Sequence, residues 1–174
     1  MIDRVYSHIL VPTDFHPDRR AAYRVALAAA SGTGATGTLL HVAPMPTGEE
    51  EDEYLGLDAI RLMHRSAEGR SKLAETAESI TAANAELENR LRAEVPSHQA
   101  GAVRVQCVAR RGEVAAEVRR FVREAKVDLL VVTDSPPGLF PTFGRKLADR
   151  LAHDMPAEVV RVTPAEARRE PATV

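Results

Sequence analysis

The sequence predicts an α/β protein: a single open, doubly wound parallel five-stranded sheet in the order 3-2-1-4-5, with helices on both faces. Three observations predict it. Five short apolar runs alternate with stretches of helical periodicity: "HILVP" (His8–Pro12), "GTLLHVA" (Gly37–Ala43), "VRVQCVA" (Val103–Ala109), "DLLVV" (Asp128–Val132) and "AEVVRV" (Ala157–Val162). That alternation is the pattern of right-handed parallel crossovers. The first, second and fourth runs are nearly continuous in Ile, Leu and Val, as strands covered on both faces are. The third interleaves Arg104 and Gln106 and the fifth carries Glu158 and Arg161, which marks half-exposed edge strands. Two edges and three inner strands are satisfied by the order 3-2-1-4-5.

Each helix is read from its punctuation. The first starts near Pro17, whose fixed φ suits a first turn, with Asp18 at the positive end of the helix dipole. Ala22, Val25, Ala26 and Ala29 form its apolar face, and Gly32 and Gly34 end it. The second crossover, residues 44–101, is long. It opens on an acidic, Gly/Pro-punctuated loop at 47–55. Ile60, Met63, Ala67, Leu73, Ala77, Ile80, Leu87 and Leu91 then carry one or two amphipathic helices around Gly69, with Asn84 interrupting the stripe. The third helix follows Gly112, with Val114, Val118, Phe121, Val122 and Ala125 at helical spacing. The last runs from Gly144 towards Met155, with Leu147 and Leu151 inward and Pro156 beyond it. Residues 1–164 are read as one domain and 165–174 as a frayed polar tail.

Composition narrows the function. The net charge is −2, which favours neither nucleic acid nor an anionic membrane surface. Aromatics are 4% of the chain and Trp is absent, so no base-stacking platform is expected. The apolar runs are too short to span a bilayer, and "MIDRVYSHILVP" has no secretory h-region. Cys107 is the only cysteine, which suits a reducing cytoplasm.

In a sheet of this order ligands bind beyond the carboxyl ends of strands one and four, where the order reverses. Two loops therefore matter, "PTDFHPD" and "DSPPGLFPTFGRK". Asp14 has two readings there: a ligand for a bound base or ribose, or a cap for the turn into the first helix. Ser135 and Thr142 read as caps.

The strings "HILVPTDF", "GTLLHVAP" and "DLLVV" before a Gly-bearing loop resemble the universal stress protein family over nearly the whole chain, apart from the acidic loop and the tail. The resemblance implies a Rossmann-like, adenine nucleotide alpha hydrolase-like fold, and dimerisation through the fifth strand, here Val159, Val160, Arg161 and Val162. In members that bind ATP, an Asp after strand one and a Val ending strand two flank adenine and ribose. Those positions match Asp14 and Val42, with Pro12 and Thr13 leading into the Asp. The phosphates of such members sit on a glycine motif after strand four. Here Thr133 stands for its first Gly and Pro136 for its second, while Arg145-Lys146 fall on the closing Gly-Ser pair with Gly144 one residue early. The nucleotide site implied by resemblance thus comprises Pro12, Thr13, Asp14, Val42, Thr133, Asp134, Ser135, Gly138, Gly144, Arg145 and Lys146.

The departures have physical consequences. A phosphate cradle needs inward N–H groups and glycine-like close approach, and Pro136 and Pro137 supply no N–H. Each lost contact is worth about 1 kcal/mol, and up to about 3 against a charged acceptor. The expectation is ATP binding weakened by a few powers of ten. Arg145 and Lys146 at a helix start either meet an anion or point into solvent.

No HExxH, GxSxG or Walker A string occurs among these residues, and the six histidines show no paired metal-ligand spacing. His41 reads as a satisfied core histidine. His16 beside Asp14 is the one acid–base pair the sequence offers. Weak ATP hydrolysis would have to rest on Asp14, Asp134 and His16. The expected protein is a cytoplasmic, non-enzymatic, dimeric regulatory or protective module, working with a homodimer partner and a possible regulatory protein. No metal-binding residues are expected, and the residues name no definite cofactor. The alternative is an ATP-, AMP- or anion-binding member, with Mg²⁺ accompanying the nucleotide.

Overall fold

A computed structural model describes residues 5–43, 67–95, 103–134, 145–152 and 155–163. The strands are β1 (His8–Thr13), β2 (Thr36–Ala43), β3 (Arg104–Arg111), β4 (Leu129–Thr133) and β5 (Glu158–Val162). They form one parallel sheet in the order β3-β2-β1-β4-β5, as the texture of the strands predicts. The helices are α1 (Arg20–Thr33), α2 (Ala67–Glu94), α3 (Val114–Glu124) and α4 (Arg145–Leu151), with a 3-10 turn at Pro17–Arg19 before α1.

The sheet is covered twice because strand residues alternate sides. Ile9, Val11, Leu39, Leu129 and Val131 pack on one face with Ala22, Tyr23, Ala26 and Leu27 of α1 and Leu91 of α2. Leu10, Leu40, Val42, Leu130 and Val132 pack on the other with Val118, Phe121 and Val122 of α3 and Leu147 and Leu151 of α4. Fully buried aliphatic side chains of this size contribute about 1.5–3 kcal/mol each. The two layers hold the carboxyl ends of β1, β2 and β4 in fixed relation.

Several local expectations are corrected. Val25 is 36% exposed, and the buried face of α1 is rotated to Ala21, Ala22, Tyr23, Ala26, Leu27 and Ala30. Gly32 lies inside α1, and Gly34 alone stops it, at φ 72° with its N–H donated to the Ala30 carbonyl at 2.8 Å. Over the described part of the second crossover, α2 is one continuous helix through Gly69. A helix-interior glycine costs only about 1 kcal/mol. The acidic loop at 47–55, Ile60 and Met63 lie outside the described residues. Helix α4 ends at Leu151, short of Met155.

Candidate functional site

The site is assembled by what β1 does as it leaves the sheet. Thr13 is fully buried. Its hydroxyl takes a hydrogen bond from the Tyr23 hydroxyl and another from the Phe15 N–H at 3.1 Å. Burial pushes the Tyr23 hydroxyl up to about 12, so it stays a donor at neutral pH. The Thr13 carbonyl accepts from Nδ1 of His41 on the neighbouring strand, at 2.8 Å. These bonds turn the chain sharply, and Phe15 sits at φ 63°, a left-handed conformation that a non-glycine residue adopts only when its surroundings require it.

Asp14 follows. Its Oδ1 accepts the His16 N–H at 3.1 Å, the turn-capping role. The same carboxylate is gripped by Arg19, Nε to Oδ1 at 2.9 Å and Nη2 to Oδ2 at 3.1 Å. The two side chains are only 6% and 8% exposed. This fork-to-carboxylate pair is the strongest geometry open to such groups. Sequence reasoning missed Arg19. The signal was an arginine five residues after the aspartate, across a turn opened by Pro17.

His16 does not form an acid–base pair with Asp14 through its ring. Its Nδ1 instead accepts the Asp18 N–H at 3.3 Å and caps the 3-10 turn. Val42 is 3% exposed, with its side chain in the core against the α3 and α4 layer. Pro12 is buried in β1, opposite Leu40 of β2. At the end of β4, Thr133 is 4% exposed and its hydroxyl has no hydrogen-bond partner among the described residues. β4 pairs with β1 at Ile9–Leu129 and Leu10–Leu130. Asp134 donates its N–H to the Val162 carbonyl at 2.8 Å, which ties the exit of β4 to β5. Arg145 and Lys146 open α4. Ser135, Gly138, Gly144, Pro136, Pro137 and Thr142 lie outside the described residues.

A second cluster flanks the first. The Phe15 and His41 rings lie 4.5 Å apart, and the Arg90 guanidinium of α2 covers Phe15 at 4.1 Å from its centroid. Burial pulls the His41 imidazole below its ordinary value. The Thr13 carbonyl and Asp14 push it back, and Arg90 and Arg111 lower it further. A histidine depressed in the folded state binds fewer protons there than when unfolded. It therefore contributes stability above its ordinary value near 6.5, and that contribution is lost as pH falls through the lowered folded value. Wild type is expected to lose more melting temperature than His41→Gln over this acid window. A difference that stays constant from neutral to acid pH would contradict the assignment.

Among the described residues no group of three or more His, Cys, Asp or Glu side chains is arranged to hold a metal. No helix among them is long and apolar enough to cross a membrane.

A doubly wound parallel sheet in the order β3-β2-β1-β4-β5, with polar residues gathered at its switch point, defines a domain of the Rossmann-like α/β class. The chain belongs to the universal stress protein family, whose model matches residues 6–163. The fold is similar to universal stress protein UspA from Lactobacillus plantarum, with a TM-score of 0.55 and 16% identity over 92% of this chain and 99% of that one. It is similar to a family protein from Burkholderia pseudomallei, with a TM-score of 0.51 and 20% identity over 90% and 96% of the two chains. A third similar structure is a universal stress protein in complex with cAMP, with a TM-score of 0.52 and 17% identity over 92% and 99%. Among curated proteins none matches the chain.

Proposed function

We propose that this universal stress protein is a cytoplasmic, non-enzymatic, homodimeric regulatory or protective module that does not hold ATP tightly in its family's usual mode. One observation carries the reading. The carboxylate at the position matched to the adenine- and ribose-binding Asp is already spent on Arg19 and on the turn. A nucleotide recruiting Asp14 would have to compete with a buried charge pair, and breaking such a pair costs about 3–5 kcal/mol. The phosphate side agrees. Pro136 and Pro137 lack the N–H groups a cradle would offer, and Thr133 places a side chain where the matched glycine has none.

The same chemistry supports a non-enzymatic role. His16 serves as a cap, and Asp14 is held as a salt-bridged anion, so neither is poised to activate water. Pairing through β5 is supported by its place at the sheet edge, with Val159 and Val160 half-buried and Arg161 exposed. Nucleotide content is the direct test. Protein denatured after purification is expected to release no ATP or AMP on chromatography, and stoichiometric nucleotide would overturn the reading.

The cAMP complex of a relative in fold favours a second reading, in which ATP, AMP or another anion is bound through Pro12, Thr13, Val42, Asp134, Arg145 and Lys146, with Mg²⁺ where the ligand is ATP. In that reading the ligand would rely on backbone groups and cations in place of the Asp14 carboxylate.

A further inference from the structure

Two arginines near the carboxyl ends of β2 and β3 lack, among the described residues, the counter-charges their neighbours have. Arg111 ends β3 opposite Ala43 of β2. Strand alternation puts it on the sheet face of Val105, Cys107 and His41, under α2. Its Nε is buried with no hydrogen-bond partner, and among the described residues no carboxylate lies within ion-pair distance of it. The preceding residue makes the contrast. Arg110, on the opposite face, pairs with Glu124 at 2.7 Å and Glu117 at 3.7 Å and covers the Phe121 ring at 4.8 Å.

Arg90 repeats the pattern on α2. Arg92 has Glu88 at 3.6 Å, and Glu94 is taken by Arg20 at 3.2 Å. Arg90 has the face of Phe15 and, among the described residues, no carboxylate. The His41 ring, with Nδ1 on the Thr13 carbonyl and 4.5 Å from the Phe15 ring that Arg90 covers, feels both cations. Among the described residues the acid that acts on it is Asp14, which is paired with Arg19.

We propose that the carboxyl ends of β2 and β3 hold a small oxyanion of the phosphate class, bound by the guanidinium groups of Arg111 and Arg90. Both guanidinium groups act on the His41 imidazole, neither has a carboxylate partner among the described residues, and like charges gathered on one side of a sheet raise each other's energy, a cost that an oxyanion removes. Guanidinium forks match phosphate oxygens in shape and charge. Arg111 is partly exposed with its Nε buried, so the group is seated in the fold and meets the ligand with its outer edge. The site lies on the β2–β3 wing, away from the loop after β4, and it stands whether or not a nucleotide binds at the switch point.

The test is titration of the full chain with inorganic phosphate at constant ionic strength, read by NMR at the Arg111 Nε–H and by calorimetry. A saturating shift of that resonance is expected. Arg111→Gln is expected to weaken binding by about tenfold or more, and Arg90→Gln by several-fold. Arg104→Gln, an exposed change at the far end of β3, should leave affinity unchanged. Arg90→Gln sits on an exposed helix position, so it keeps the test decisive if Arg111→Gln fails to fold. No saturation, an equal shift with chloride, or wild-type affinity in the Arg90 and Arg111 variants would overturn the proposal.

Discussion

Replacing Arg19 by methionine is expected to lower the unfolding free energy by about 3–5 kcal/mol. Methionine keeps an unbranched apolar stem in place of the arginine's methylenes, so packing of that part changes little. What it removes is the partner of a carboxylate that is 8% exposed. Asp14 would then keep only the His16 N–H among its described partners. It would be held in a setting where an unpaired charge is far costlier than in water. Asp14→Asn in the Arg19→Met background is expected to recover part of the loss, because a neutral amide still accepts the His16 N–H. Urea unfolding of wild type, both single variants and the double variant measures the coupling. A loss under about 1 kcal/mol for Arg19→Met, the value of an exposed pair, would contradict the account.

The second large effect concerns the β5 edge. Glu158 donates its N–H to the Asp128 carbonyl at 3.0 Å, and the Val162 carbonyl accepts from Asp134 at 2.8 Å. Residues 158 and 162 thus turn their backbone groups toward β4, and alternation turns those of Val159 and Arg161 to the open edge. Arg161→Pro removes an outward N–H and leaves the β4–β5 ladder intact, which is the position where an edge strand tolerates proline. The Arg161–Asp149 ion pair is also lost. Its side chains are 36% and 60% exposed, so it is worth about 0–1 kcal/mol. A dimer paired through β5 should dissociate, with its dissociation constant raised about tenfold or more, equivalent to ~1.4 kcal/mol. Light scattering at several concentrations reads the change. A dimer of unchanged affinity would move the interface elsewhere, and a wild-type protein that is monomeric throughout would remove it.

The sheet order was legible because burial writes itself into alternation. Arg104, Gln106, Glu158 and Arg161 mark the two edges, and the aliphatic runs mark the middle. Helix faces were less legible where alanine is abundant. In α1 the spacing of Ala22, Val25, Ala26 and Ala29 fits one stripe, but Tyr23 and Leu27 bury more surface and rotate the helix toward themselves. Asp14 was visible as a turn residue at the switch point. Its partner was not, since nothing in a single arginine distinguishes a buried fork from a solvated chain until the turn at Pro17–Arg19 brings it back. Arg90, Phe15, His41 and Arg111 come from four separate elements, and only the fold brings them into one cluster.

The pairing of Asp14 with Arg19 and the prolines after β4 are what support the proposal that this member of the family does not hold ATP in the usual mode. Calorimetric titration of nucleotide-free protein with ATP and Mg²⁺ tests it most directly. The account predicts no saturable heat in the micromolar range. Micromolar, stoichiometric binding would contradict it and would show that a ligand displaces Arg19 from Asp14 or bypasses that carboxylate.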